Sequence, residues 1–93
     1  PWAGWMKKGE ARPLFLIGKP ENGEPCSPGN GQMIGLLAPN RDCVECAYHL
    51  AMELGALCEG APGLRPQYHP DYFGAYFRDL DGNKICVVCH DPA

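Results

Sequence analysis

Six cysteines and three histidines are the residues of this 93-residue chain best suited to redox or metal chemistry. Cys43 and Cys46 are spaced CxxC, as are Cys86 and Cys89, and His90 directly follows the second pair. Such spacing is used in zinc knuckles, redox dithiols and, with a trailing histidine, haem c attachment. Each use demands a particular local shape. Cys86 and Cys89 flank two valines in a β-prone run, and on a strand positions i and i+3 point to opposite faces. One zinc ion therefore cannot collect both sulfurs. Cys43 and Cys46 lie in a helical pattern, where i and i+3 side chains meet, but two thiolates do not close a structural zinc site. Haem c attachment expects a mobile segment leading into a helix, not a strand. A redox dithiol near a helix start has favourable dipole logic, but Glu45 between the thiols opposes thiolate formation. With no secretory signal, a disulfide framework is not expected either. The cysteines read as small hydrophobes.

A second group of chemically capable residues sits in one loop. Arg65, Tyr68, His69 and Tyr72 fall within or just after a proline-rich stretch from Gly60 to Asp71. Arg65 suits clamping an anionic group. His69 suits proton exchange near neutral pH and is the candidate catalytic residue. The tyrosines suit stacking on a flat ligand. The plainer alternatives are a structural hydrogen bond for His69 and core packing for the tyrosines. Long loops in small domains are more often functional than idle.

The elements that must position these residues follow from the pattern. Residues 3–8 and 12–18 read as strands of a hairpin around Gly9 and Glu10. Trp2 and Trp5 read as packing or interface residues. Gly18 to Gly31 is a loop rich in glycine and proline. Gln32 to Ala38 reads as a strand with Ile34 and Leu36 on one face and Met33, Gly35 and Leu37 on the other. Asn40 is a good N-cap for a helix whose buried stripe is Val44, Ala47, Tyr48, Ala51 and Leu54. Gly55 suits its C-terminal stop. A short strand over 56–59 follows. Strands over 72–78 and 84–90 then form a hairpin, with Asp79 capping its turn and Gly82 at positive φ. On the last strand Cys86, Val88 and His90 share one face, and Ile85, Val87 and Cys89 face the helix.

Composition narrows the function. Eight basic against eleven acidic residues give a net charge of −3. The basic residues are scattered, which argues against a nucleic-acid partner. The apolar runs are too short for a membrane span. No signal-peptide pattern opens the chain, so a cytoplasmic location is expected. At 10.1 kDa, a single domain over 1–93 is expected.

From residue 28 onward the sequence resembles the glyoxalase/bleomycin-resistance/dioxygenase group, the vicinal oxygen chelate superfamily. The resemblance is carried by Gly29-Asn-Gly-Gln-Met-Ile-Gly-Leu-Leu-Ala-Pro39, the helix, Glu59-Gly-Ala-Pro-Gly-Leu-Arg-Pro66 and Tyr68-His-Pro-Asp-Tyr72. It is completed by Tyr76-Phe-Arg-Asp-Leu-Asp-Gly-Asn-Lys-Ile85, which is similar to the family's terminal hairpin, FxDPDGNxxE. The resemblance implies an α+β fold with a complete βαβββ module over 28–93. Residues 1–27 would be two strands of an incomplete first module plus a linker loop. It also implies that Met33 and Cys86 stand at the family's metal-ligand positions. Thioether and thiol are poor partners for a hard divalent ion, so no metal and no cofactor are expected. The expected ligand-binding residues are Met33, Arg65, Tyr68, His69, Tyr72, Cys86 and Val88. The expected function is binding of a small organic molecule, such as sequestering or modifying a toxic compound. The alternatives are a lactoylglutathione lyase-like enzyme completed by dimerisation, and a non-catalytic interaction unit. A partial first module leaves open strand edges, so a homodimer is expected.

Overall fold

The computed structural model describes residues 2–6, 9 and 14–93, with the side chains of 2–6, 14 and 16 excepted. Two sheets are present: an antiparallel hairpin of β1 (Trp2–Met6) and β2 (Leu14–Gly18), and a four-stranded sheet. The four-stranded sheet contains β3 (Ile34–Leu37), β4 (Leu57–Leu64), β5 (Phe73–Arg78) and β6 (Lys84–Cys89), in the order β3-β6-β5-β4. Between β3 and β4 runs α1 (Arg41–Glu53). From residue 34 the order is βαβββ. The expected strand positions 7–8 and 12–13, Glu10 and the packing of Trp2 and Trp5 lie outside the described residues.

Helix α1 begins where Asn40 leaves extended backbone. Its carboxamide oxygen accepts the Cys43 amide proton at 2.8 Å. That satisfies one of the amide donors a helix start otherwise leaves without partners. Val44 and Tyr48 are buried, with Ala47 and Ala51 packed beside them, while Asp42, Glu45, His49 and Glu53 face outward. Leu54 departs from the expected stripe. It is the C-cap and is 68% exposed, because the backbone leaves the helix there and turns through Gly55 at φ 102°.

The helix packs across β4, β5 and β6. Phe73, Ala75 and Phe77 of β5 meet Ile85, Val87 and Cys89 of β6 in one core with Val44 and Tyr48. The register pairs Ala75 with Val87 and Phe77 with Ile85, so these residues share the helix face. The opposite face carries Gly74, Tyr76 and Arg78, paired with Val88, Cys86 and Lys84.

Among the described residues, two strand boundaries differ from the sequence reading by more than one residue. β3 starts at Ile34 rather than Gln32. β4 does not stop at Glu59 but continues to Leu64, which shortens the following loop to residues 65–72. Two register irregularities, between Cys58 and Gly60 and between Gly60 and Gly63, let this happen. Pro62 cannot donate to a ladder, and β4 is an edge strand, where proline is tolerated. The β5–β6 turn is as expected. Asp79 Oδ1 accepts the amide protons of Asp81 and Asn83 at 3.0 and 2.8 Å, and Gly82 has φ 86°.

Replacing Asn40 by Ala removes the cap while leaving the packed stripe intact. The expected loss is about 1 kcal/mol, read as a fall in Tm of roughly 4–8 °C for a chain of this size.

Candidate functional site

The face of the sheet away from the helix gathers the polar chemistry of the chain. At its centre the hydroxyls of Tyr72 and Tyr76 are hydrogen-bonded at 2.8 Å, and the Tyr72 hydroxyl lies 3.6 Å from Cys86 Sγ. Tyr76 projects from β5 opposite Cys86 of β6. Tyr72 arrives from the loop, held where the Arg65 amide donates to the Tyr72 carbonyl at 2.8 Å. Tyr68 packs against Tyr72, ring centroids 4.9 Å apart. Gly74 leaves the space for this. A Cβ there would lie 3.0 Å from the Tyr72 ring.

Burial raises the pKa of Tyr72, and its hydrogen bonds to Tyr76 and Cys86 push it further in the same direction. Burial also raises that of Tyr76. Both phenols therefore keep their protons at neutral pH and act as donors, not as bases.

His69 and His90 meet at the end of the cluster. His69 Nε2 and His90 Nδ1 are 2.8 Å apart, with ring centroids separated by 5.1 Å. That separation is the nitrogen contact plus one ring radius on each side, so the imidazoles meet end on. The Asp71 amide donates to His69 Nδ1 at 3.2 Å. This fixes the tautomers: His69 Nδ1 is an acceptor, so Nε2 carries the proton and donates to His90 Nδ1. His90 Nε2–H is then left as a free-standing donor. The 65–72 loop is thereby tied to the residue that follows β6.

Arg65 and Lys84 frame Tyr76. The Arg65 guanidinium carbon is 5.4 Å and the Lys84 ammonium 5.9 Å from its ring centroid. Arg78 lies on the same face, but its Nε donates to Glu59 Oε1 at 2.6 Å and its Nη1 to the Gly82 carbonyl at 2.9 Å.

The structure thus brings Arg65, Tyr68, His69, Tyr72 and Cys86 together. Val88 lies buried on the same face, paired with Gly74 and Leu37. Met33 stands apart, lining a groove of about 530 Å3 with Gln32, Arg78 and Lys84. Sequence reasoning passed over Tyr76 and Lys84 and left His90 out of the ligand set. Tyr76 and Lys84 lie on the Cys86 face of β5 and β6, and His90 follows the end of β6 in the same period-two alternation.

The family's metal positions do not suit a hard divalent ion in this chain. Cys86 offers a buried thiol beside a protonated phenol, and Met33 a thioether. Across from Cys86 in β3 is Gly35, which adds no donor atom. Among the described residues no three His, Cys, Asp or Glu side chains converge on one point. Nor, among them, is any helix long and apolar enough to cross a membrane.

No protein-family model and no curated protein matches the chain. Solved structures do. A glyoxalase/bleomycin resistance protein from Albidiferax ferrireducens T118 is 32% identical, with TM-score 0.78, over 95% of this chain and 74% of that one. The hypothetical protein SA1046 from S. aureus shares the fold at 24% identity and TM-score 0.57, over 66% of this chain and 50% of that one. With this extent of identity joined to the βαβββ order, the chain belongs to the glyoxalase/bleomycin resistance family.

The tyrosine pair makes a signed prediction for pH. Its pKa values are raised above the unfolded value of about 10, so the folded state binds more protons in alkali. The stabilisation is complete below about pH 10 and is lost as pH rises beyond it. Urea midpoints measured from neutral to strongly alkaline pH should fall more steeply for the native chain than for Tyr72→Phe.

Proposed function

We propose that the sheet face opposite the helix binds a small organic molecule without a metal at the family's ligand positions. The observation that carries this reading is the Tyr72–Tyr76–Cys86 cluster. It places two protonated phenols above a buried thiol, with Gly74 and Val88 next to them on the sheet face and aromatic rings from the 65–72 loop beside them. Apolar surface with a few fixed polar groups is how small-molecule sites are built. In this reading Arg65, Tyr68 and Tyr72 orient the ligand and Cys86 and Val88 back them from within the sheet, while Met33, in its separate groove, takes no part. His69 holds the loop in place rather than serving as the catalytic residue. Removal of a toxic compound by sequestration is the role that fits.

We further infer that a second copy of the chain completes the site. β3 pairs with β6 along one edge only, and Met33, Ile34, Leu36 and Leu37 of and beside it are 39–76% exposed. The β1–β2 hairpin packs on no element of the four-stranded sheet among the described residues. The radius of gyration is 14.5 Å, against roughly 12 Å for a compact chain of this length. Open edges and apolar patches of this kind are usually covered by a symmetric partner.

Thermal melting against a panel of small metabolites tests the first reading. A genuine ligand at ten times its dissociation constant adds ~1.4 kcal/mol and raises Tm by several degrees, and this rise should vanish in a Tyr72→Ala/Tyr76→Ala double variant. A panel with no shift overturns the reading. Turnover of the methylglyoxal–glutathione adduct would favour the lyase instead.

Light scattering tests the second. The native chain should be a dimer at micromolar concentration and Leu37→Lys a folded monomer. A monomeric native chain would remove the partner copy.

A further inference from the structure

The chain is acidic overall, yet the face that carries the tyrosine cluster bears two cations without a carboxylate partner. Arg65 lies beside the Tyr76 ring from the β4 side and Lys84 from the β6 side. Neither forms an ion pair among the described residues, whereas Arg78 on the same face is neutralised by Glu59. An isolated cation beside a ring gains only about 0.5–1 kcal/mol at an exposed site, so each retains most of its capacity for an anion.

The backbone is shaped to hold the guanidinium there. A Cβ on Gly60 would sit 3.1 Å from Arg65 Nη2 and 3.2 Å from the Tyr76 ring, and one on Gly63 would sit 3.1 Å from Arg65 Nη1. Arg65 Nη2 also donates to the Ala61 carbonyl at 2.9 Å, which fixes its position while leaving its other donors available. The acidic residues of α1, Asp42, Glu45 and Glu53, project from the opposite side of the molecule. The two phenols between the cations keep their protons and so add donors rather than charge.

Resting on the reading of this face as a ligand site, we propose that the ligand is a planar organic anion. Its ring would lie over Tyr76 and Tyr72, and its carboxylate would be held between Arg65 and Lys84. A guanidinium offers carboxylates a bidentate fork, and an ammonium supplies a compact second charge. Glu59 then acts as a selectivity element: by occupying Arg78 it limits the face to two free cations.

Ligand-observed NMR with cinnamate, its neutral amide and the cationic cinnamylamine tests this. Cinnamate should bind, the amide about tenfold more weakly and the amine not at all, as expected for loss of one charge-assisted contact. Arg65→Gln and Lys84→Met should each weaken cinnamate about tenfold and weaken the neutral amide by clearly less. Glu59→Gln, which frees Arg78, should tighten cinnamate, an effect that a merely structural role for these residues would not produce. Equal binding of acid and amide, or unaltered cinnamate affinity in both cation variants, overturns the anion proposal and leaves the proposed ligand face itself standing. If none of the three probes binds, both the proposal and the planar-ligand pocket beneath it fall.

Discussion

Everything on the functional face depends on the register between β5 and β6. Phe77 pairs with Ile85 and Ala75 with Val87, which commits those residues to the helix side. Because side chains alternate, the same pairing commits Tyr76 with Cys86 and Arg78 with Lys84 to the other side. A slip of β6 by one residue would turn its two faces over, burying Lys84 under the helix. The turn guards against this. Asp79 gathers the amide protons of Asp81 and Asn83, and the Asn83 side chain donates to its second oxygen at 3.1 Å. Arg78 adds a contact from its guanidinium to the Gly82 carbonyl. One short turn thus sets both the core and the site.

Much of this was legible in the sequence because the signals are local. Asn40 at an N-cap, Gly55 after the helix and the Asp79–Asn83 turn each announce a backbone conformation within a few residues. The separation of Cys86 from Cys89 follows from strand alternation alone, and the buried positions respect it. Cys86 lies by the Tyr72 hydroxyl and Cys89 in the helix core. The length of β4 was hidden for the opposite reason. Gly60, Pro62 and Gly63 are residues that usually break strands, and only an edge position with bulges accommodates them.

The site was legible in its loop half and obscure in its strand half. Arg65, Tyr68, His69 and Tyr72 stand close in sequence and invite attention as a group. Tyr76 and Lys84 join them only through pairing across β5 and β6, and Met33 lies apart with Gln32 and Arg78. The meeting of His69 with His90 is likewise a contact between residues 21 apart in the chain. No spacing rule within one segment exposes such partnerships. They require the register first.

The Asp71–His69–His90 chain has a direction as well as a geometry. Each donor points the same way, from a backbone amide through the two imidazoles to an exposed ring N–H. Hydrogen bonds aligned head to tail polarise one another. The far end of the relay therefore presents a partial positive charge with no net charge behind it. A donor of that kind is a dipole, and salt screens it less than it screens Arg65 or Lys84. On the function proposed above, the face has two means of attracting electron-rich groups: ionic contacts that weaken as ionic strength rises, and a dipolar one that persists.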